Sequence, residues 1–219
     1  MGMRTISSVV EGIIGESPFY AEVLAEGIGR NAEIARRIKP LVEKRLLETV
    51  SEAAVAMSLH RLQKGYRKGA TGQDVLKKIS DITVRSNLLE FVFPNTVEFS
   101  TIVEAVSRVA RRRKDVFINF SRGLHDSLLI VNSEFEREVV AAAKNKQTQK
   151  IEGLSAITMR LPPESVTMPG VYYPILKAIA WEGISFVEVM SIDTEFSILF
   201  KDVDIDRAFS VLKRITSLS

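Results

Sequence analysis

The residue types from which catalytic and metal centres are built are sparse in this sequence. Its 219 residues include two histidines, His60 and His125, and no cysteine. The histidines lie far apart in the chain, and neither has further ligand residues around it at the spacing of a metal site. No phosphate-binding loop, nucleophile elbow or Ser–His–Asp order is present in the sequence. We therefore expect no metal and no cofactor, and we interpret both histidines as surface residues.

One glycine pattern could in principle bind a dinucleotide. The run Gly27-Ile28-Gly29-Arg30-Asn31-Ala32 matches a loose G-x-G-x-x-A pattern. A dinucleotide-binding loop needs a preceding strand within a βαβ unit, and an acidic residue on the next strand. Helical patterns surround the run here, so we interpret it as a helix end, a tight turn and the N-cap of the next helix.

Positive charge is concentrated in the first third of the sequence, where it could serve nucleic-acid binding. Residues 1–80 contain 13 Lys and Arg against 9 Asp and Glu, whereas residues 81–219 contain 17 against 18. An excess of basic residues of this kind is one feature of domains that bind DNA phosphates, but a solvated helix face has the same composition.

The elements that carry this charge are helices. Apolar residues recur at helical spacing, without a strand-like run, and predict a helical domain over residues 1–72. Asn31 and Ser51 are suitable N-caps, and we expect Pro40 to break or kink the helix before it. The predicted helices are Ile6–Ile14, Pro18–Glu26, Ala32–Ile38, Leu41–Leu47 and Ser51–Tyr66.

Several short helices with a capped final one are typical of a helix-turn-helix or small winged-helix domain. The recognition helix would be Ser51–Tyr66, with Val55, Leu59 and Leu62 facing inward. Its phosphate-binding residues would be Arg61, Lys64, Arg67 and Lys68. The first half of this helix reads base edges poorly, because it offers Ser51, Glu52, Ala53 and Ala56. The alternative is a helical packing or oligomerisation domain.

The stretch Leu154–Ser219 alternates between the periodicities of strands and helices. Strands are predicted at Leu154–Leu161, Ile184–Ser191 and Glu195–Lys201. The first helix, Val171–Glu182, places Val171, Ile175, Leu176 and Ile179 on one face, and Gly183 follows its end. The second, Ile205–Ile215, has an apolar face of Ile205, Ala208, Phe209, Leu212 and Ile215, with Asp202 and Asp204 as capping candidates. The order is βαββα.

Short motifs within this stretch resemble those of an ACT domain, most closely the second ACT domain of aspartokinases. The matching segments are Met168-Pro169-Gly170-Val171, Glu182-Gly183-Ile184-Ser185 and Ser191-Ile192-Asp193-Thr194-Glu195. They follow that family's order of Pro-Gly-Val, a helix, Glu-Gly-Ile and a Ser–Glu β-turn. The resemblance implies a regulatory amino-acid-binding module. It implies no enzyme activity, because the kinase domain of aspartokinases alone is longer than this chain.

The same resemblance implies a ligand site. Gly170 allows close approach of the backbone, and the N–H groups at the start of the helix that begins at Val171 favour a carboxylate. The loop residues of this site would be Met168, Pro169, Gly170 and Val171. Ser191, Asp193 and Thr194 would then bind the ammonium group and side chain of an amino acid. The alternative is a Pro-Gly turn that binds no ligand.

Residues 80–150 repeat the βαββα order. The predicted strands are Ile82–Phe93, Val116–Ser121 and Ser127–Val131, and the helices are Thr96–Arg113 and Phe135–Lys144. An offset of 69 aligns Leu129 with Ile198, Ile130 with Leu199, Val131 with Phe200 and Val140 with Phe209. We infer an internal duplication, with one ACT-like unit over 80–150 and the ACT unit over 151–219. Pro94-Asn95-Thr96 replaces the Pro-Gly loop in the first unit, so the sequence does not decide whether this unit has a ligand site.

An ACT domain resembles a βαββαβ unit, yet the sequence ends at Ser219, soon after the last predicted helix. In tandem ACT regions of aspartokinases, the last unit looks completed by a strand from before the first. We therefore hypothesise that Ile82–Val84 closes the second unit and joins both units into one body.

The fold class is thus α+β, a helix-turn-helix-like domain followed by two ferredoxin-like ACT units. This architecture resembles archaeal-type predicted regulators of amino-acid metabolism. It implies an amino-acid-sensing homodimer or higher homo-oligomer, with DNA as a candidate partner. One alternative is a regulatory subunit of a biosynthetic enzyme that binds no DNA, and another is a structural oligomer without a ligand. A stripe of Tyr173, Lys177 and Trp181 indicates a packing or partner surface. Apolar runs are too short for a membrane span of roughly 18 residues, so we expect a cytoplasmic protein without a membrane partner.

Overall fold

The computed structural model describes residues 5–66, 73–95, 97–113, 115–144 and 146–217. The chain divides into two units, residues 1–70 and 71–219, which we call the helical unit and the sheet unit. The helical unit contains α1 (Ile6–Gly15), α2 (Pro18–Glu26), α3 (Asn31–Leu46) and α4 (Glu52–Tyr66). No helix in these described ranges is long and apolar enough to cross a membrane.

The helices of the helical unit bury one apolar face each in a shared core. Val10, Ile38 and Leu59 are fully buried there. Local sequence sets the helix ends: Thr5 forms a capping box at α1, and Ser17 caps α2 ahead of Pro18. The hydroxyl of Ser51 accepts a hydrogen bond from the N–H of Ala54 at 3.2 Å, as predicted for an N-cap.

Two predictions for this unit are wrong. The predicted break at Pro40 is contradicted, because the predicted helices Ala32–Ile38 and Leu41–Leu47 form one helix, α3, with Pro40 inside it. Its missing N–H leaves the carbonyl of Arg36 without a helical donor, but both residues are exposed. Asn31 is the first residue of α3 and not its N-cap, since its amide donates to the side chain of Gln63 at 3.4 Å. The glycine pattern does follow a helix: Gly27 has φ +70° at the end of α2.

The sheet unit begins with a short helix, α5 (Gln73–Leu76), and then contains two βαββα repeats. The first repeat consists of β1 (Asp81–Pro94), α6 (Phe99–Ala110), β2 (Ile118–Arg122), β3 (Asp126–Asn132) and α7 (Glu136–Ala143). The second consists of β4 (Gln149–Arg160), α8 (Tyr173–Trp181), β5 (Glu188–Ile192), β6 (Glu195–Lys201) and α9 (Ile205–Ser217). All strands form one antiparallel sheet in the order β2-β3-β1-β4-β6-β5.

Strands β1 and β4 are shared by the two repeats. The second half of β1 pairs with β3 and with the start of β4, which closes the first repeat. The first half of β1 pairs with the end of β4, where Ile82 is opposite Met159 and Val84 is opposite Ile157. The hypothesis that Ile82–Val84 closes the second repeat is therefore confirmed.

Each repeat has its own core on the face of the sheet that carries the helices. The buried residues Phe99, Ile102 and Val106 of α6 pack in the first core, and Ile175 and Ile179 of α8 pack in the second. The offset of 69 residues holds in three dimensions. Leu129 and Ile198 occupy the helix-covered cores, whereas Ile130 and Leu199 both lie in a cluster on the opposite face. We call this opposite side the helix-free face.

Several predicted boundaries move. β4 begins at Gln149, five residues before the prediction, because its start pairs with β1. β5 begins at Glu188 and not at Ile184, since the N–H of Ile184 still bonds the carbonyl of Ile179 beyond the helix end at Gly183, where φ is +66°. Asp202 does not cap α9. It lies in a 3-10 turn and accepts a hydrogen bond from Ser155 at 2.6 Å.

Candidate functional site

The predicted Pro-Gly loop connects β4 to α8. Gly170 has φ +74°, a conformation that favours glycine, and no atom would contact a Cβ added there within 4 Å. Pro169 and Gly170 are exposed, whereas Val171 is buried in the core of the second repeat. Met168 is half-buried against the same core. The loop thus holds an exposed backbone segment between two apolar anchors.

The start of α8 offers fewer hydrogen-bond donors than the sequence predicted. The helix begins at Tyr173 and not at Val171. The N–H of Tyr173 already donates to the carbonyl of Gly170 at 3.1 Å, and Pro174 has no N–H. Two of the positions that would bind a carboxylate at a helix N-terminus are therefore occupied or lack a donor.

Tyr172 links this loop to the facing strand. Its hydroxyl lies 2.7 Å from that of Ser191 on β5, and its ring stacks on Phe196 with centroids 4.3 Å apart. Ser191 was predicted as a ligand residue. In the structure its hydroxyl is hydrogen-bonded within the protein, and Tyr172 was missed because an aromatic residue at a helix start reads as core.

Asp193 and Thr194 line a cleft of about 480 Å³ at the end of β4. Two backbone hydrogen bonds build it. The N–H of Leu161 donates to the carbonyl of Thr194 at 2.8 Å, and the N–H of Ser80 donates to the carbonyl of Arg160 at 3.3 Å. The lining residues are Lys78, Ser80, Arg160, Leu161, Pro162, Pro163, Asp193 and Thr194.

Charges of both signs meet in this cleft. Within the described ranges, the side chains of Arg160 and Asp193 have no hydrogen-bond or ion-pair partner. The ammonium of Lys78 lies 2.6 Å from the carboxylate of Glu164, and this hydrogen bond lowers the pKa of Glu164. Asp193 has φ +53°, because it occupies the tight turn between β5 and β6.

The predicted ligand residues thus fall into two adjoining groups. The first group belongs to the Pro-Gly loop or contacts it through Tyr172, and it consists of Met168, Pro169, Gly170, Val171 and Ser191. The second group, Asp193 and Thr194, lies in the cleft. The cleft also contains Lys78, Ser80 and Arg160, which the sequence did not reveal. Lys78 is far away in sequence, and only the pairing of β1 with the end of β4 places it beside Arg160.

The predicted DNA-binding residues lie on or after α4. Arg61 and Lys64 are exposed, whereas Arg67 and Lys68 fall outside the described residues. Val55 and Leu59 are buried and Leu62 is half-buried, so the predicted inward face is confirmed. Exposed positions at the start of the helix include Glu52, whose carboxylate lies 3.8 Å from Arg36.

Neither histidine has a structural sign of a metal site. His60 and His125 are both exposed, as expected. Among the described residues, no group of three or more His, Asp or Glu side chains is placed to hold a metal ion.

Comparison with known proteins places this geometry in a structural class. No family model and no curated protein matches the sequence. Solved structures do match. Aspartate kinase of Clostridium acetobutylicum superposes with a TM-score of 0.51 at 10% identity, over 63% of this chain and 35% of that one. A structure of aspartokinase alpha and beta subunits superposes with a TM-score of 0.50 at 12% identity, over 67% of this chain and 98% of that one. Aspartate kinase from Synechocystis superposes with a TM-score of 0.50 at 13% identity, over 65% of this chain and 27% of that one.

This chain therefore spans about a third of the Clostridium enzyme. At such low identity the likeness establishes the fold. The sheet unit has the ACT-like ferredoxin fold found in aspartate kinases, and in this chain N-terminal helices precede it.

Proposed function

We propose that this protein is an amino-acid-sensing regulator of amino-acid metabolism and not an enzyme. The observation that carries the proposal is the cleft at the end of β4, where the guanidinium of Arg160 and the carboxylate of Asp193, neither of them paired within the described residues, line one cavity. A free α-amino acid carries one charge of each sign, so it complements this pair. The ACT-like fold supports the proposal, since it is shared with aspartate kinases, one of which is described as allosteric.

In this proposal Arg160 binds the carboxylate of the amino acid and Asp193 binds its ammonium group. Arginine suits a carboxylate because its guanidinium donates two parallel hydrogen bonds. We assign the carboxylate to Arg160 and not to the start of α8, because Pro174 and the Tyr173–Gly170 hydrogen bond remove donors there. The loop residues Met168 to Val171 keep a second role. The Tyr172–Ser191 hydrogen bond connects the loop to β5, which leads directly to Asp193.

Thermal unfolding in the presence of each of the twenty amino acids tests the proposal. A ligand at about 100 times its Kd adds about 2.7 kcal/mol to the free energy of unfolding, which is a shift of several degrees. We expect a selective shift that Arg160→Gln abolishes. Asp193→Asn should also abolish it, while asparagine still tolerates the positive φ of the turn.

Arg108→Gln is the matched control, because Arg108 is exposed on α6 and does not line the cleft. It should leave the shift unchanged. If no amino acid shifts the wild-type transition, or if the shift survives both cleft substitutions, the cleft is not the sensor.

For the organisation of the chain we propose three functional parts. Residues 1–72 form the output domain, and the ACT-like units over 80–150 and 151–219 form the sensor. Because β1 and β4 each belong to both units, a ligand at one unit can alter the other through the shared strands. The ligand would favour one arrangement of a paired sensor and so change how two copies present their helical units.

DNA is a second element of the proposal, and the observation that favours it is the exposed pair Arg61 and Lys64 on α4. These residues lie one helical turn apart and suit phosphate contacts. A gel shift with the chain's own upstream DNA should show salt-sensitive binding. The double variant Arg61→Ala, Lys64→Ala should weaken DNA binding to a similar extent for all sequences. It should also reduce the slope of log K against log salt concentration by about 2.

The alternative partner is a biosynthetic enzyme. It is favoured by the composition of the exposed start of α4, where Glu52 and Ala53 read bases poorly and Met57 is 61% exposed. In that case no salt-sensitive DNA binding appears, and the full chain retrieves an enzyme of amino-acid synthesis in a pull-down that Met57→Lys weakens.

A further inference from the structure

One acidic side chain lies buried in the middle of the sheet, away from the cleft. Glu90 on β1 is 3% exposed, and its Oε2 atom has no hydrogen-bond partner among the described residues. Its neighbours across the sheet are Ile130 on β3 and Ile151 on β4. An unpaired carboxylate in such surroundings is costly, because burial removes the water that stabilises its charge.

The surroundings are the apolar cluster of the helix-free face. Its buried members come from both repeats: Leu88, Ile130, Leu154, Ala156, Met190 and Leu199. Strand pairing places Glu188 of β5 on the same face, because it is opposite Leu199. Glu90 thus belongs to the first repeat and Glu188 to the second.

Glu90 and Glu188 lie on strands that are three places apart in the sheet, on the same face of it. Burial and the charge of Glu188 raise the pKa of Glu90 to about 7, and burial raises the pKa of Glu188. In a flat sheet, strands three places apart are separated by about 14 Å. The sheet is irregular at this point, since the β1–β4 register shifts on both sides of Leu88, and Asn87 and Gly153 have φ of +60° and +66°.

Two charged residues on adjoining strands of the helix-free face, Arg85 and Lys201, form no ion pair with Glu90 or Glu188. Arg85 is opposite Ala156 and donates a hydrogen bond to the carbonyl of Asp115 at 2.8 Å. Lys201 is opposite Leu154 and exposed. The facing positions of β3 and β2 are the uncharged Ile130 and Asn119. Lys150 of β4 bonds Glu136 and Glu152, and no ion pair within the described ranges reaches Glu90 or Glu188.

We propose that Glu90 and Glu188 form a proton-controlled junction between the two ACT-like repeats. While Glu90 carries a proton, the apolar helix-free faces of both repeats stay packed around it. When both side chains are ionised, their repulsion and the cost of burying charge favour opening of this face. Regulation by pH through this junction goes beyond amino-acid sensing and does not depend on it.

The direction of the pH effect follows from the raised pKa. A group that binds its proton more tightly in the folded state stabilises the fold fully below its unfolded pKa, here 4.5, and loses that contribution as the pH rises through about 7. Between about pH 5.5 and pH 8.5, this single group should raise the unfolding equilibrium constant about 30-fold.

Denaturant unfolding of the full chain across this pH range tests the stability part. We expect Glu90→Gln to remove most of the pH dependence, and to make the protein more stable than wild type at the alkaline end. Glu104→Gln is the matched control, because Glu104 is exposed on α6. Titration of the Glu90 side-chain carboxyl by carbon-13 NMR should give an apparent pKa near 7 in the wild type. It should be lower in Glu188→Gln.

A second measurement reports directly on the exposure of the buried cluster. The chain has no cysteine, so Ala156→Cys places a single thiol in the fully buried cluster. At alkaline pH, we expect this thiol to react with a maleimide at least several-fold faster in the Glu104→Gln background than in the Glu90→Gln background. Equal labelling rates in the two backgrounds, or an ordinary glutamate pKa for Glu90, would overturn the proposal.

Discussion

The hydroxyl groups of Tyr172 and Ser191 lie 2.7 Å apart and join the loop before α8 to the edge strand β5. This hydrogen bond joins the loop to Ser191, one of the ligand residues predicted on the facing strand. Because the Tyr172 ring also stacks on Phe196, the loop is held at two points, one polar and one apolar. The loop is therefore positioned by the protein itself before any ligand binds.

We expect Tyr172→Phe to cost about 0.5–1.5 kcal/mol of unfolding free energy, because it removes one hydrogen bond but keeps the ring stacking. Ser191→Ala should cost a similar amount. In a double-mutant cycle the two effects should not add, since both substitutions remove the same bond. Additive costs in chemical denaturation would show that the two hydroxyl groups are stabilised separately.

A second prediction concerns the segment Ile82–Val84 of β1, which closes the second repeat. Ile82→Ala should destabilise the sheet unit by about 1–2 kcal/mol, since Ile82 is half-buried against the core of the second repeat. Val84→Ala is the control on the same strand. Val84 is 41% exposed, so its substitution should cost no more than about 0.5 kcal/mol. Urea unfolding checks both values, and equal costs would contradict the packing of Ile82.

The charge balance of the cleft gives a third prediction, which depends on the proposed amino-acid site. Glu164→Gln removes the carboxylate that bonds Lys78 and one negative charge near the cleft. We expect the affinity for the amino acid's carboxylate to rise several-fold and to become more sensitive to salt. Isothermal titration calorimetry with the amino acid measures the affinity of each variant. Lys78→Gln is the comparison, because it should lower the affinity. Unchanged affinity in both variants would place the ligand away from Lys78.

A fourth prediction concerns acid stability of the helical unit. Arg45 donates two hydrogen bonds to the carboxylate of Glu16, at 2.9 and 2.6 Å, and these bonds lower the pKa of Glu16. The stabilisation is present above the ordinary pKa of a glutamate, and it is lost as the pH falls through the lowered folded value. The protection factors of α1 and α3 amides, which are exchange rates corrected for their intrinsic pH dependence, should therefore fall on acidification.

The variants for this test differ in one carboxyl group. Glu16→Gln should flatten the acid dependence of the protection factors in α1 and α3. Glu11→Gln should leave it unchanged, because Glu11 is an exposed residue of α1 that does not bond Arg45. If both variants behave like the wild type, the Arg45–Glu16 pair contributes nothing to this acid sensitivity.

Local sequence was enough to predict most elements, because their signals lie within a few residues. The apolar faces of α8 and α9 are those that the 3.6-residue spacing indicated, and β6 has the predicted bounds. Predicted element boundaries were wrong where contacts with distant segments or with solvent set them. β4 extends back to Gln149 because β1 supplies hydrogen bonds there, and α3 continues through Pro40 because that side of the helix is exposed.

The candidate site was only partly predictable for the same reason. Asp193, Thr194 and Gly170 occupy turns whose local motifs are visible in the sequence. Arg160 and Lys78 carry no motif, and they share a cleft only because the strand after Lys78 pairs with the strand that ends at Arg160. Pairing between distant strands depends on the whole sheet and not on neighbouring residues.

The sequence by itself therefore determined the order of helices and strands, the duplication with its offset of 69 residues, and the inward faces of the helices. Each of these depends on side-chain periodicity, which is local. Only the tertiary structure decided that β1 and β4 serve both repeats, that Glu90 is buried on the face that also carries Glu188, and that Arg160 and Asp193 line one cleft. These depend on strand pairing and register, which arise when segments far apart in the chain pack together.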